Sequence, residues 1–154
     1  MNLDAIFEDL EAQGYFQSNV RSAEQPAVIA KVVRVELDFA SHLLTSVLLG
    51  PDFLAGFELN NNQLRWLIIP VRNIQILRAE DHGSTLLKTE GNLASLLELK
   101  LLGKSIKIIS SEQTVSGLLL DVSTEFIKLQ SDSHYWIPLG SLGVVVVEKF
   151  SDLT

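Results

Sequence analysis

Three histidines, His42, His82 and His134, are the side chains best suited to proton transfer or metal binding in this chain. None has a second histidine, or a carboxylate at ligand spacing, on a shared element, so the sequence predicts no metal set. Asp132-Ser133-His134 falls in a polar stretch and reads as a solvated turn. Glu80-Asp81 pairs two carboxylates, but in an evident loop, where solvation accounts for them without acid–base work. There is no cysteine, hence no thiol chemistry and no disulfide framework. A P-loop, a Gly-x-Gly-x-x-Gly turn and a His-Glu-x-x-His pair are all missing. Leu139-Gly140-Ser141-Leu142-Gly143 is not a nucleophile elbow, because the glycine directly precedes the serine. The sequence therefore predicts a protein that is not an enzyme and needs no cofactor.

Binding chemistry is thinner still. Lys100, Lys104 and Lys107 form the one basic cluster and are the candidate nucleic-acid contacts. A helix C-terminus at Lys100, where the dipole favours a cation, and a solvent-facing strand position at Lys107 account for them better than a phosphate-contacting patch does. Trp66, Tyr135 and Trp136 could stack on bases, though their place beside Ile-Pro in each case also suits core packing. Val144, Val145, Val146 and Val147 are four consecutive β-branched residues, so that strand is either buried on both faces or paired with another chain. They are the candidate self-association residues.

The net charge is −7 at pH 7. Acidity opposes phosphate-backbone binding, which depends on lysine and arginine, so nucleic acid is the disfavoured partner and a protein partner or a second copy the favoured one. With 47% hydrophobic and 20% charged residues, the composition is that of a globular chain. No apolar run reaches the roughly 18 residues of a membrane span. The acidic N-terminal stretch has no basic region before an apolar one, so no signal peptide is expected. These features point to a cytoplasmic protein.

The elements that must position these residues are read from periodicity and breaks. Leu3, Ile6, Phe7 and Leu10 follow helical spacing behind Asn2 and predict a helix over residues 2–11. Residues 27–49 carry conflicting signals. Residues 33–39 alternate apolar and polar, as a strand would. Lys31, Arg34, Asp38, Ser41 and Thr45 also recur at three- and four-residue steps, and no glycine, proline or asparagine offers a hairpin turn. The expectation is one long helix ending at Gly50-Pro51. Residues 53–79 read as β, with Asn60-Asn61-Asn62 as a turn, and residues 80–85 as a loop. Asn92 caps a helix over residues 92–102 that Gly103 ends. Residues 104–150 then hold strands at 106–109, 114–122, 125–130, from 135, and 144–147, separated by polar breaks.

Gly117 inside its strand, Glu125-Phe126-Ile127-Lys128-Leu129, then Ile137-Pro138-Leu139 and a valine-rich last strand resemble an Sm-like small β-barrel of the Hfq branch; an SH3-like barrel fits nearly as well. That resemblance implies RNA binding. The lysine and histidine of the Hfq uridine pocket have no match in Trp136-Ile137-Pro138-Leu139, so the pocket does not carry over. Trp66 to Ile74 resembles Tyr135 to Leu142, and Gly56 resembles Gly117, which suggests an internal repeat whose first copy lacks a strand. The whole order, with Ile6-Phe7-Glu8-Asp9-Leu10-Glu11-Ala12-Gln13 at its start, resembles an uncharacterised family of actinobacterial proteins. The expected fold class is α+β: N-terminal helices over residues 1–50, a degenerate small barrel over 51–80, a linker and helix over 81–103, and a full Sm-like barrel over 104–154. The expected function is a non-catalytic protein-interaction or oligomerisation module; the alternative is an Sm-like RNA-binding regulator.

Overall fold

The computed structural model describes residues 32–60, 62–79, 87–88 and 90–148. At its start Val33 and Val35 are buried while Val32, Arg34 and Glu36 are half-buried. That is the two-residue period of a strand, and the segment is β1 (Val32–Glu36). The Leu37 N–H donates to the Ala40 carbonyl at 2.9 Å and turns the chain without a glycine. β2 (Ser41–Leu49) returns antiparallel to it. β3 (Phe53–Asn60) and β4 (Gln63–Pro70) form a long hairpin, with Asn62 in the left-handed region at φ 63°. A 3-10 turn (Val71–Asn73) leads to β5 (Ile76–Ala79), which pairs with β1. The short β6 (Leu87–Lys88) lies parallel to β2.

Asn92 caps α1 (Leu93–Leu96), its side-chain oxygen accepting the Ser95 N–H at 2.8 Å, and the helix widens into a π turn over Leu97–Leu101. Then come β7 (Ser105–Ile109), β8 (Thr114–Val122), β9 (Phe126–Gln130) and β10 (His134–Pro138). A second 3-10 turn (Leu139–Ser141) leads to β11 (Val144–Val147).

All of this is one open sheet in the order β10-β9-β8-β7-β11-β4-β3-β2-β1-β5, with β6 attached to β2. It corrects the expected α+β class and its small barrels. The long helix over residues 27–49 is replaced by β1 and β2 across its described part. The first unit is not short of strands, because those two complete it. No closed barrel separates the halves, because β11 pairs with β7 on one side and β4 on the other. The helix expected over residues 2–11 and the loop over 80–85 lie outside the described residues. The strands expected at 114–122 and 144–147 stand where the polar breaks put them.

The two halves share one connectivity, β5-β1-β2-β3-β4 against β11-β7-β8-β9-β10, and their first two turns carry matching bonds. Leu37 N–H to Ala40 C=O is answered by Ser110 N–H to Gln113 C=O, both 2.9 Å. Gly50 N–H to Phe53 C=O is answered by Ser123 N–H to Phe126 C=O, both 2.8 Å. Pro70 and Pro138 each end a fourth strand just before a 3-10 turn. Gly56 and Gly117, by contrast, are not equivalent: Gly56 lies in the third strand of its half and Gly117 in the second strand of the other. A Cβ on Gly117 would come within 2.5 Å of the Gln130 carbonyl oxygen, so strands β8 and β9 approach there only because it is glycine.

Two hydrophobic clusters lie against this sheet. Val33, Val35, Leu44 and Val47 belong to one, and Leu96, Ile106, Leu119 and Ile127 to the other, which both halves share, since it also takes Leu48, Phe53, Ala55 and Phe57. At the seam the strands exchange side chains. β4 gives Leu67 and Ile69 to the first cluster and Trp66 and Ile68 to the second; β11 gives Val144 and Val146 to the first and Val145 and Val147 to the second. Both seam strands are therefore buried on both faces. Among the described residues, no helix is long and apolar enough to cross a membrane.

Candidate functional site: the seam and the two open edges

The seam is a short antiparallel ladder. Val145 faces Ile68, Val146 faces Leu67 and Val147 faces Trp66. Beside it, Arg72 on the first 3-10 turn donates from Nη2 to the Leu139 carbonyl and, at 3.0 Å, to the Leu142 carbonyl. Asn73 Nδ2 donates to the same Leu142 oxygen at 2.9 Å. These bonds clamp the turn after β4 onto the turn before β11. Charge-assisted bonds are the stronger kind.

The same two strand positions recur at the ends of the sheet with no strand beside them among the described residues. β10 is the counterpart of β4 and pairs only with β9; β5 is the counterpart of β11 and pairs only with β1. Through the matched prolines and 3-10 turns, Ile68 answers to Trp136 and Val144 to Ile76. Ile68 is 0% exposed and Trp136 59%; Val144 is 1% exposed and Ile76 56%. Leu77, the counterpart of buried Val145, is also exposed. Tyr135 and Ile137, which answer to Leu67 and Ile69, pack partly buried against the cluster that holds Ile127 and Leu129. His134 and Trp136, which answer to buried Trp66 and Ile68, are exposed on β10.

Trp136 is held in that pose. Lys128 Nζ lies 5.0 Å from its ring centroid, a cation–π distance, and the His134 ring meets it edge-on at 6.1 Å. Tyr135 Oη donates to Asp132 at 2.9 Å, and that bond, with the carboxylate's charge, raises the phenol's pKa.

The valines expected to self-associate, Val144 to Val147, lie inside the sheet, with ladder partners in β7 and β4. The three lysines are not brought to one exposed face. Lys100 is 6% exposed, and burial, then the charge of Lys104, lowers its pKa. Lys104 is half-buried. Lys107 bonds Glu148 Oε1 at 2.8 Å, and that hydrogen bond holds the Glu148 carboxyl below its ordinary range.

Sequence reading missed one polar cluster. Glu58 accepts Arg65 Nε at 3.0 Å and Nη2 at 2.7 Å on Oε1, and its Oε2 lies 2.6 Å from His42 Nδ1. The signal was available: a short asparagine turn sets Glu58 opposite Arg65 in the hairpin. The trio ties β2 to β3 and β4. A cleft of about 210 Å³ elsewhere holds Asp52, Arg72 and Asn92. Each is engaged: Asp52 accepts the Leu93 N–H at 2.7 Å, Asn92 caps α1, and Arg72 holds the seam. Among the described residues no group of three or more histidines and carboxylates could hold a metal. No protein-family model, curated protein or solved structure matches the chain.

Proposed function

We propose that the chain is a non-catalytic interaction module that associates with itself, and that its two halves are copies of one five-strand unit. One observation carries the reading. Three apolar positions sealed inside the seam, Ile68, Val144 and Val145, recur as exposed apolar residues on the open edges, Trp136, Ile76 and Leu77, while Val146 and Trp66 answer to Arg78 and His134. Exposed apolar residues grouped on an unpaired strand edge are what an association surface needs and what a solitary protein avoids. Connectivity and turn bonds shared by the halves support the duplication. With no cysteine to oxidise, the chain suits the cytoplasm. Sedimentation equilibrium from about 1 to about 100 micromolar tests the reading, since mass must rise with concentration if copies associate. A single-chain mass throughout would end it. Added single-stranded RNA that bound and shifted the mass in a salt-dependent way would favour the nucleic-acid alternative instead.

A further inference from the structure

We infer that copies join head to tail, β10 of one chain pairing antiparallel with β5 of the next, in the register of the internal seam. This rests on the self-association reading above and specifies its geometry. The seam supplies the template. Val145–Ile68, Val146–Leu67 and Val147–Trp66 become Leu77–Trp136, Arg78–Tyr135 and Ala79–His134 between copies. Pro138 does not obstruct this, because Pro70 ends β4 in the same way and the ladder forms on the residues before it. The exposed faces also match. Trp136 takes the place of Ile68, which packs in the cluster that both halves share; Ile76 takes the place of Val144, which crosses the seam into the cluster around Val33 and Leu44. The two edges are complementary and unlike, so the contact is heterologous and repeats from chain to chain.

Three differences set its strength. Arg72, which clamps the internal seam, answers to Gly140 at the joint between copies. The strand ladder recurs there and the apolar exchange recurs in part, since Arg78 and His134 stand where the seam has Val146 and Trp66, and the guanidinium clamp does not recur. The joint between copies is therefore weaker than the seam and reversible on dilution.

The natural chain has no cysteine, so engineered pairs report register cleanly. In one variant Leu77→Cys and Trp136→Cys are combined; a second combines Arg78→Cys and Tyr135→Cys. Within one chain these strands stand at opposite ends of the sheet. Mild oxidation of either variant is expected to give a ladder of covalent multimers, and a displaced pair, Leu77→Cys with His134→Cys, is expected to give far less. A separate variant, Trp136→Arg, is expected to keep the far-ultraviolet spectrum and weaken association at least tenfold. Leu43→Arg, an exposed apolar position on β2 away from both edges, is expected to change nothing. If the parent associates but the matched pairs do not cross-link and Trp136→Arg associates normally, the head-to-tail joint is wrong and self-association stands. If the parent never exceeds one chain, both fail.

Discussion

Ile68 and Trp136 occupy the same place in two halves of one molecule, yet one is sealed and the other open to solvent. The seam around Ile68 shows what such a position costs to keep dry. It takes a strand partner on each side, side chains traded between two clusters, and a guanidinium bridging two carbonyls. The edge around Trp136 has the trading side chains and lacks the other two. The difference teaches that burial here is a property of the neighbour, since both strands end in the same turn and closing proline. Substitutions made in matched pairs should therefore separate what the fold needs from what the contact needs.

Ile68→Ala, in the seam, is expected to cost about 2–5 kcal/mol of stability, the range for an aliphatic truncation in a filled core. Its counterpart Trp136→Ala should move the unfolding midpoint of the isolated chain little, because an exposed residue contributes within about 0.5 kcal/mol. Denaturant unfolding of both variants at low protein concentration checks the contrast; equal losses would erase it. Gly143→Ala should come next. A Cβ there would sit 2.1 Å from the Ile109 carbonyl oxygen, so the entry to β11 must shift, at about 1–3 kcal/mol.

Arg72→Ala removes two charge-assisted bonds and should cost about 1.5–3 kcal/mol, read in the same way. The converse change sharpens the comparison. A Cβ on Gly140 would meet nothing within 4 Å, and the residue lies outside the left-handed region, so Gly140→Arg should fold normally and tighten association between copies. Unchanged sedimentation would show that the clamp does not transfer.

The smallest effects are electrostatic. Lys100 has a folded pKa below its unfolded value, so the folded state binds fewer protons between the two. Stability should rise as pH climbs through that alkaline window, and Lys100→Met should abolish the rise. Glu148 is shifted down by its bond to Lys107, so its contribution is present above the ordinary carboxylate range and lost as pH falls through the folded value. Lys107→Ala should flatten that acid limb slightly, as a half-exposed pair allows. Thermal scans across pH read both.

The second half was legible because Ser110 to Gln113, Ser123-Thr124 and Ser131 to Ser133 are unbroken polar interruptions, and strands run between them. The first half was not, for a local reason. β2 carries a bulge between Thr45 and Leu48, with Ser46 at φ 53°. The extra residue shifts the alternation, so Leu44, Val47 and Leu48 all end up buried. Spacings of three and four imitate a helix, and the turn from Leu37 to Ala40 has no glycine, proline or asparagine to contradict it. The glycine correspondence failed for a different reason: Gly56 and Gly117 each relieve a close approach in their own half, from different strands. Pro70 and Pro138 do take the same position, each at the end of a strand. The candidate edges themselves could not be read beforehand. Which valine-rich or aromatic strand meets solvent depends on strand order, and no local pattern states that β11 lies in the middle of the sheet and β10 at its rim.

The placement of β4 and β11 in one polypeptide imposes parity. Under the joint inferred above, every closed assembly contains an even number of five-strand units, and its contacts alternate between covalently continuous and separable. Dilution can divide it only at every second contact, so the smallest product is always a matched pair and never an orphan unit. Symmetry in such an assembly relates chain to chain rather than unit to unit. The two units of a pair are thus free to differ in sequence, as Arg72 and Gly140 do.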